Sequence, residues 1–78
     1  MQKQIKENKE RLLSSRAVAH ILGLSPRTVH RYNSSGLIIK PLRISGSVRY
    51  LESELLAWIR VGMPKRLDWE AMKQAGTE

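Results

Sequence analysis

The sequence predicts a mostly α-helical domain carrying one small β-hairpin. Three observations lead there. Two short helical patterns with end signals, over residues 14–23 and 25–36, are separated by a single leucine. Over residues 42–50 the apolar period switches from helical spacing to strict alternation around Ser45-Gly46-Ser47. A further helical pattern then opens on Glu52 and Glu54 and carries Leu55, Trp58 and Ile59 at helical spacing.

At 78 residues the chain holds one small domain, which buries only about 60% of its unfolded surface. It has no cysteine, so neither a disulfide framework nor a cysteine metal site reinforces it. No apolar run is long enough to span a membrane, and no apolar stretch follows the N-terminal lysines as a secretory signal requires. A cytoplasmic location is expected.

The charge is segregated. Formal net charge is +7, from 14 basic and 7 acidic side chains. From Arg11 to Tyr50 there are seven bases (Arg11, Arg16, Arg27, Arg31, Lys40, Arg43 and Arg49) and no acid; the flanks hold the rest and cancel. A surface kept only for solubility normally mixes both signs. A one-signed stretch creates a field that attracts a polyanion, which points to nucleic acid.

Along the chain, residues 1–11 are polar, with Ile5 as an isolated apolar residue, and are expected to form a flexible arm with a nascent helix near Glu7 and Arg11. The first helix starts at Ser14 or Ser15, groups Val18, Ile21 and Leu22 on one face, and stops at Gly23. Its first turn carries Arg16 and no acid, which opposes the helix dipole but suits a phosphate. In the second helix Ser25 is the N-cap, Pro26 occupies the first turn, and Gly36 ends it. Val29 and Tyr32 point to one side; Arg27, His30, Arg31 and Ser34 lie on the other. Two such helices joined by a short glycine-containing turn make a helix-turn-helix.

Residues 37–41 read as an extended crossing segment containing Lys40. In the hairpin, a three-residue Ser-Gly-Ser turn pairs Ile44 with Val48 and Arg43 with Arg49. That register places Leu42, Ile44, Val48 and Tyr50 on one face and Arg43, Ser45, Ser47 and Arg49 on the other. Arg43 opposite Arg49 is destabilising unless a polyanion lies against them. The third helix runs from about Glu52 to Val61, with Trp58 in the core rather than serving as a stacking platform. After Pro64, a short last helix is expected over residues 68–76, capped by Asp68, with Trp69 and Met72 on its apolar face.

Enzymatic chemistry is not indicated. His20 and His30 lie on different helices, no glycine-rich phosphate loop precedes a helix, and the Glu52/Glu54 pair is explained by the helix dipole. No metal or other cofactor is expected. Double-stranded DNA accounts for the pattern better. The recognition helix would offer Ser25, Pro26, Arg27, Thr28, His30, Arg31 and Ser34, with Arg27 and Arg31 suited to guanine O6 and N7. Thr28 has two readings, as phosphate donor and as a partner of the helix cap. Arg43, Ser45, Ser47 and Arg49 would form a wing over the backbone or minor groove, and Ser15, Arg16 and Lys40 would reach phosphates from the first helix and the crossing segment. An RNA binder would be expected to expose aromatic side chains for stacking, whereas most here fall on apolar faces.

Residues Leu13-Ser14, Gly23-Leu24-Ser25-Pro26-Arg27-Thr28-Val29-His30-Arg31-Tyr32, Gly36, Arg43-Ile44-Ser45-Gly46-Ser47-Val48-Arg49-Tyr50 and Leu55-Leu56-Ala57-Trp58-Ile59 resemble the excisionase and AlpA-type proteins. These are small winged helix-turn-helix relatives of the MerR DNA-binding domain. The resemblance covers residues 12–64 and leaves 65–78 as a C-terminal short helix or tail. It implies a winged helix-turn-helix, and a bacterial or phage-encoded, nucleoid-associated protein of a prophage or mobile element. Such a protein acts in DNA excision or transcription, with an integrase or recombinase, or further copies of itself on DNA, as partner. A small-molecule effector is not expected, because the chain lacks the long dimerisation helix and effector domain of full MerR regulators. Members often carry an aspartate-like cap where Leu51 stands. Alternatives are a component of DNA packaging akin to terminase small subunits, and a protein–protein adaptor that uses the helix-turn-helix as a scaffold.

Overall fold

The computed structural model describes residues 10–76. The order is β1 (Leu12–Leu13), α1 (Ser15–Leu22), α2 (Pro26–Ser35), β2 (Leu42–Ile44), β3 (Ser47–Leu51), α3 (Glu52–Arg60) and α4 (Arg66–Gly76). The strands form an antiparallel sheet in the order β1-β3-β2. This is a mostly helical domain with a winged helix-turn-helix arrangement, as the sequence predicts.

The first two helices start and stop where their caps dictate. The Ser14 hydroxyl accepts from the Ala17 amide (3.1 Å), and that of Ser25 from the Thr28 amide (3.1 Å). Gly23 and Gly36 end α1 and α2 with left-handed φ of 72° and 71°. Beyond each glycine the next amide turns back onto the helix, Leu24 to the Ala19 carbonyl and Leu37 to the Tyr32 carbonyl, both at 2.8 Å. The buried side of α1 centres on Val18 and Ala19; Ile21, expected beside Val18, is 41% exposed. It lines an open groove with Ala17, Arg16 and His20 instead.

Val18, Val29, Ile38, Ile39, Tyr50 and Leu55 are fully buried, joined by Leu13, Ala19, Trp58 and Trp69. Trp58 is a core residue, and its indole N–H donates to the Pro64 carbonyl (2.8 Å). Burial pushes the Tyr50 hydroxyl above its ordinary pKa, against the lowering pull of Arg66 and Arg43. That hydroxyl makes no hydrogen bond to a described residue. Tyr50→Phe therefore removes no such bond and is expected to change stability by less than about 1 kcal/mol, whereas Tyr50→Ala should cost about 3–5 kcal/mol, both measured by urea unfolding.

At three points the sheet and the last helix depart from the expectation or add to it. First, the hairpin pairs Leu42 with Arg49, Arg43 with Val48 and Ile44 with Ser47. The turn is two residues long, Ser45 and Gly46, both with positive φ (48° and 88°), as a type I′ turn requires. The two-residue turn shifts the register by one and places Arg43 and Arg49 on opposite faces of the wing. Leu42 and Ile44 consequently share a face with Ser47 and Arg49, and stand 44% and 51% exposed. All of β2 is exposed, so burial exerts no force to hold the apolar register, and turn geometry decides it. Second, β3 has a further partner: Leu12 pairs with Leu51 and Leu13 with Tyr50. Third, α4 begins at Arg66, two residues before Asp68, which falls in the first turn rather than at the cap. Of the two residues on its apolar face, Trp69 is buried in the core of the domain, while Met72 is 44% exposed.

The start of α3 is completed from outside. Leu51 offers no capping side chain. The Glu10 carboxylate accepts instead from the Ser53 amide (3.4 Å) and hydroxyl (2.9 Å), and the Arg11 carbonyl accepts from the Glu52 amide (2.9 Å). Residues 10 and 11, assigned to the arm from sequence, are thus tied to the domain. The remaining arm features, Ile5 and the nascent helix at Glu7, fall outside the described residues. At the other end of the chain, Glu54 accepts from the Trp69 indole (2.8 Å) and from Lys73 (2.7 Å), and that bond holds the Lys73 ammonium above its ordinary pKa.

Candidate nucleic-acid interface

The turn from α1 to α2 spans three residues, and α2 presents its outer face without obstruction. Pro26, Arg27, His30, Arg31 and Ser34 are all exposed. Arg27, His30, Arg31 and Ser34 follow at three, four and seven residues, which places them along one strip of the helix. Val29 is fully buried and Tyr32 half-buried on the opposite side, so the helix is pinned from behind. Val29 fixes its rotation and therefore which side chains face outward.

Neither α1 nor α2 has an acid in its first turn. The uncompensated N-terminal dipoles add to the field of Arg16 and Arg27. Among the described residues the ion pairs are Arg11–Glu52, Lys73–Glu54 and Lys73–Glu70. None involves Arg16, Arg27, Arg31, Lys40, Arg43 or Arg49. These cations keep their charge available to a ligand.

The polar side chains divide by what already engages them. The Ser25 and Thr28 hydroxyls are 3.0 Å apart, and Thr28 is half-buried and partnered with the helix cap. Ser34 donates back to the His30 carbonyl (3.2 Å), and Ser35 does the same to Arg31 (2.9 Å). Their oxygens are left as acceptors while their protons are spent on the helix. On the wing, Arg43, Ser45 and Ser47 are exposed and Arg49 is half-buried, with its Nη1 donating to the Val48 carbonyl (2.8 Å). Because Arg43 and Arg49 leave opposite faces, they cannot act as one clamp. Arg16 and Lys40 are exposed, and Ser15 is half-buried at the start of α1.

One residue close to this surface escaped the sequence reading. Arg66, at the start of α4, reaches the C-terminal end of α2 and the crossing segment behind it. A lone arginine after a proline gives no local signal of such a contact. No group of three or more His, Cys, Asp or Glu is placed to hold a metal among the described residues. No helix there is long and apolar enough to cross a membrane.

An exposed basic helix in a helix-turn-helix, flanked by a β-wing, defines the class as a DNA-binding helix-turn-helix protein. Residues 12–61 match the helix-turn-helix domain family, and the chain belongs to that family, a small one that includes excisionase and AlpA-type proteins. Families of this kind are typically not enzymes. No curated protein and no solved structure gave a significant match. The match ends before α4.

Proposed function

We propose that the chain is a sequence-specific binder of duplex DNA of the excisionase and AlpA kind, acting as a recombination directionality factor or a transcriptional regulator of a prophage or mobile element. The observation that carries this reading is the strip of Arg27, His30 and Arg31 on an exposed helix face, with no acid paired to it among the described residues. In this reading α2 enters the major groove, where Arg27 and Arg31 each address guanine O6 and N7 and His30 reads beside them. Ser25, Pro26 and Thr28 bring the opening of the helix to a phosphate, and Ser34 accepts from a base or a bridging water. Ser15, Arg16 and Lys40 neutralise flanking phosphates, while the wing, through Arg49 or Arg43 with Ser45 and Ser47, follows the adjacent backbone. A recombinase, or further copies of the chain on neighbouring sites, would be its partner on DNA.

Selection of the purified protein on a random duplex library tests the reading. An enriched motif flanking an attachment site favours excision, and one in a promoter favours regulation; no enrichment overturns sequence-specific binding. Affinity should also fall steeply with salt. With about five phosphate contacts, the slope of log K against log salt is expected near −4 to −5. A flat response would remove the electrostatic basis of the proposal.

A further inference from the structure

The recognition helix ends beside residues from outside the family match, and among them Arg66 bonds to it directly. Arg66 Nη2 donates to the Asn33 side-chain oxygen (2.8 Å) and to the Asn33 carbonyl (3.2 Å). Its Nε donates to the Ile38 carbonyl (3.0 Å), and Nη2 also approaches the Ile39 carbonyl at 3.5 Å. The Arg66 amide donates to the Gly36 carbonyl (3.0 Å). Two kinds of acceptor meet here. Asn33 belongs to the last turn of α2, where its carbonyl also accepts from the Gly36 amide (3.3 Å) and the negative dipole end attracts a cation. Ile38 and Ile39 belong to the crossing segment that leads into the wing; their side chains are fully buried, and their carbonyls lie outside any strand.

We propose that Arg66 is a positioning residue for DNA reading: by bonding the end of the recognition helix and the root of the wing at once, it fixes the spacing between the two elements that contact DNA. Arginine suits this role because its donors are held in one plane at fixed separation. Lysine would satisfy the dipole with a point charge but would not span both elements. Arg66 acts through Asn33 and the crossing segment and touches no base. The last helix, itself fastened by Trp69 and Lys73 to Glu54, serves as the fixed support from which Arg66 reaches. The inference rests on the DNA-binding reading above.

The test compares Arg66→Met and Arg66→Lys with the wild type. Each is titrated with the selected duplex and a scrambled duplex over a range of salt, at a temperature where circular dichroism shows all proteins folded. Ile59→Val serves as a control for lost stability. Arg66→Met is expected to lower the preference for the selected duplex about tenfold, with the salt slope unchanged and Arg66→Lys restoring only part of it. Amide exchange at Gly36 and Leu37, measured without DNA, should accelerate in Arg66→Met and not in Ile59→Val. Unchanged preference in Arg66→Met overturns the inference while leaving the functional reading intact. A salt slope reduced by about one would make Arg66 a phosphate contact, and overturns the positioning role. An equal loss of preference in Ile59→Val would reduce the effect to general stability and overturns it too. Should Arg66→Met not fold, Arg66→Lys carries the same comparison, and full wild-type preference there overturns the inference. A wild type that prefers no duplex overturns the functional reading itself, and the inference with it.

Discussion

Replacing Arg27 or Arg31 by alanine should relax base preference at one position of the target by about 1–3 kcal/mol, the range of a bidentate arginine–guanine contact. Both side chains stand on the outward strip of α2 and neither is tied up in an ion pair among the described residues, so their removal leaves no buried charge behind. The fold should tolerate either change, because surface substitutions remote from caps and core cost about 0.5 kcal/mol or less. Arg49→Ala is expected to behave differently. It should weaken all sequences alike and reduce the salt slope by about one, the mark of a phosphate contact. The corrected hairpin register adds a contrast between Arg49 and Arg43. Since these arginines leave opposite faces of the wing, only one can lie against a given backbone, and Arg43→Ala and Arg49→Ala should have unequal effects. Specificity profiles from library selection, with anisotropy titrations at several salt concentrations, measure all four variants. Uniform loss of affinity in the α2 variants, with base preference intact, would mean that this helix does not read the sequence.

Trp58→Ala should be the most damaging single change to the fold. Trp58 is 2% exposed, packs within the hydrophobic core cluster and donates to the Pro64 carbonyl. Large-to-small substitution at such a site costs about 3–5 kcal/mol, and the Pro64 carbonyl loses its donor besides. Small domains have total stabilities of about 5–15 kcal/mol, so the variant should be partly or wholly unfolded at 37 °C. Trp58→Phe keeps much of the apolar contact and loses the hydrogen bond, so its cost should be intermediate. Denaturant unfolding followed by far-ultraviolet circular dichroism measures both. A cost below about 1 kcal/mol for Trp58→Ala would contradict its place in the core.

Some of this molecule is written locally. Ser14 and Gly23, Ser25 with Pro26, and Gly36 bound the first two helices through interactions within a few residues. A reader of the chain can therefore place α1, α2 and the outward strip of Arg27, His30 and Arg31 without coordinates. The burial of Trp58 and Leu55 was legible for the same reason, because helical spacing places them on one stripe. The charge segregation between Arg11 and Tyr50 is a property of composition and needs no fold to be seen.

What only the tertiary structure decided depends on residues far apart in sequence. Glu10 caps the helix that Leu51 cannot, across 43 positions, and Arg66 meets Asn33 across 33. The two-residue strand β1 is too short to signal itself and exists because β3 offers a free edge. The hairpin register expected from sequence was wrong because alternation favours one pairing and the turn another; with β2 exposed on every residue, backbone geometry at Ser45 and Gly46 settled it. The sequence by itself thus determined a helix-turn-helix with an exposed basic face, since caps, periodicity and charge act over a few residues. The fold alone determined how that face is held: that the two wing arginines leave opposite faces, and that a distant side chain meets the end of α2. Those contacts are chosen by which elements come to lie side by side, and no local pattern encodes that.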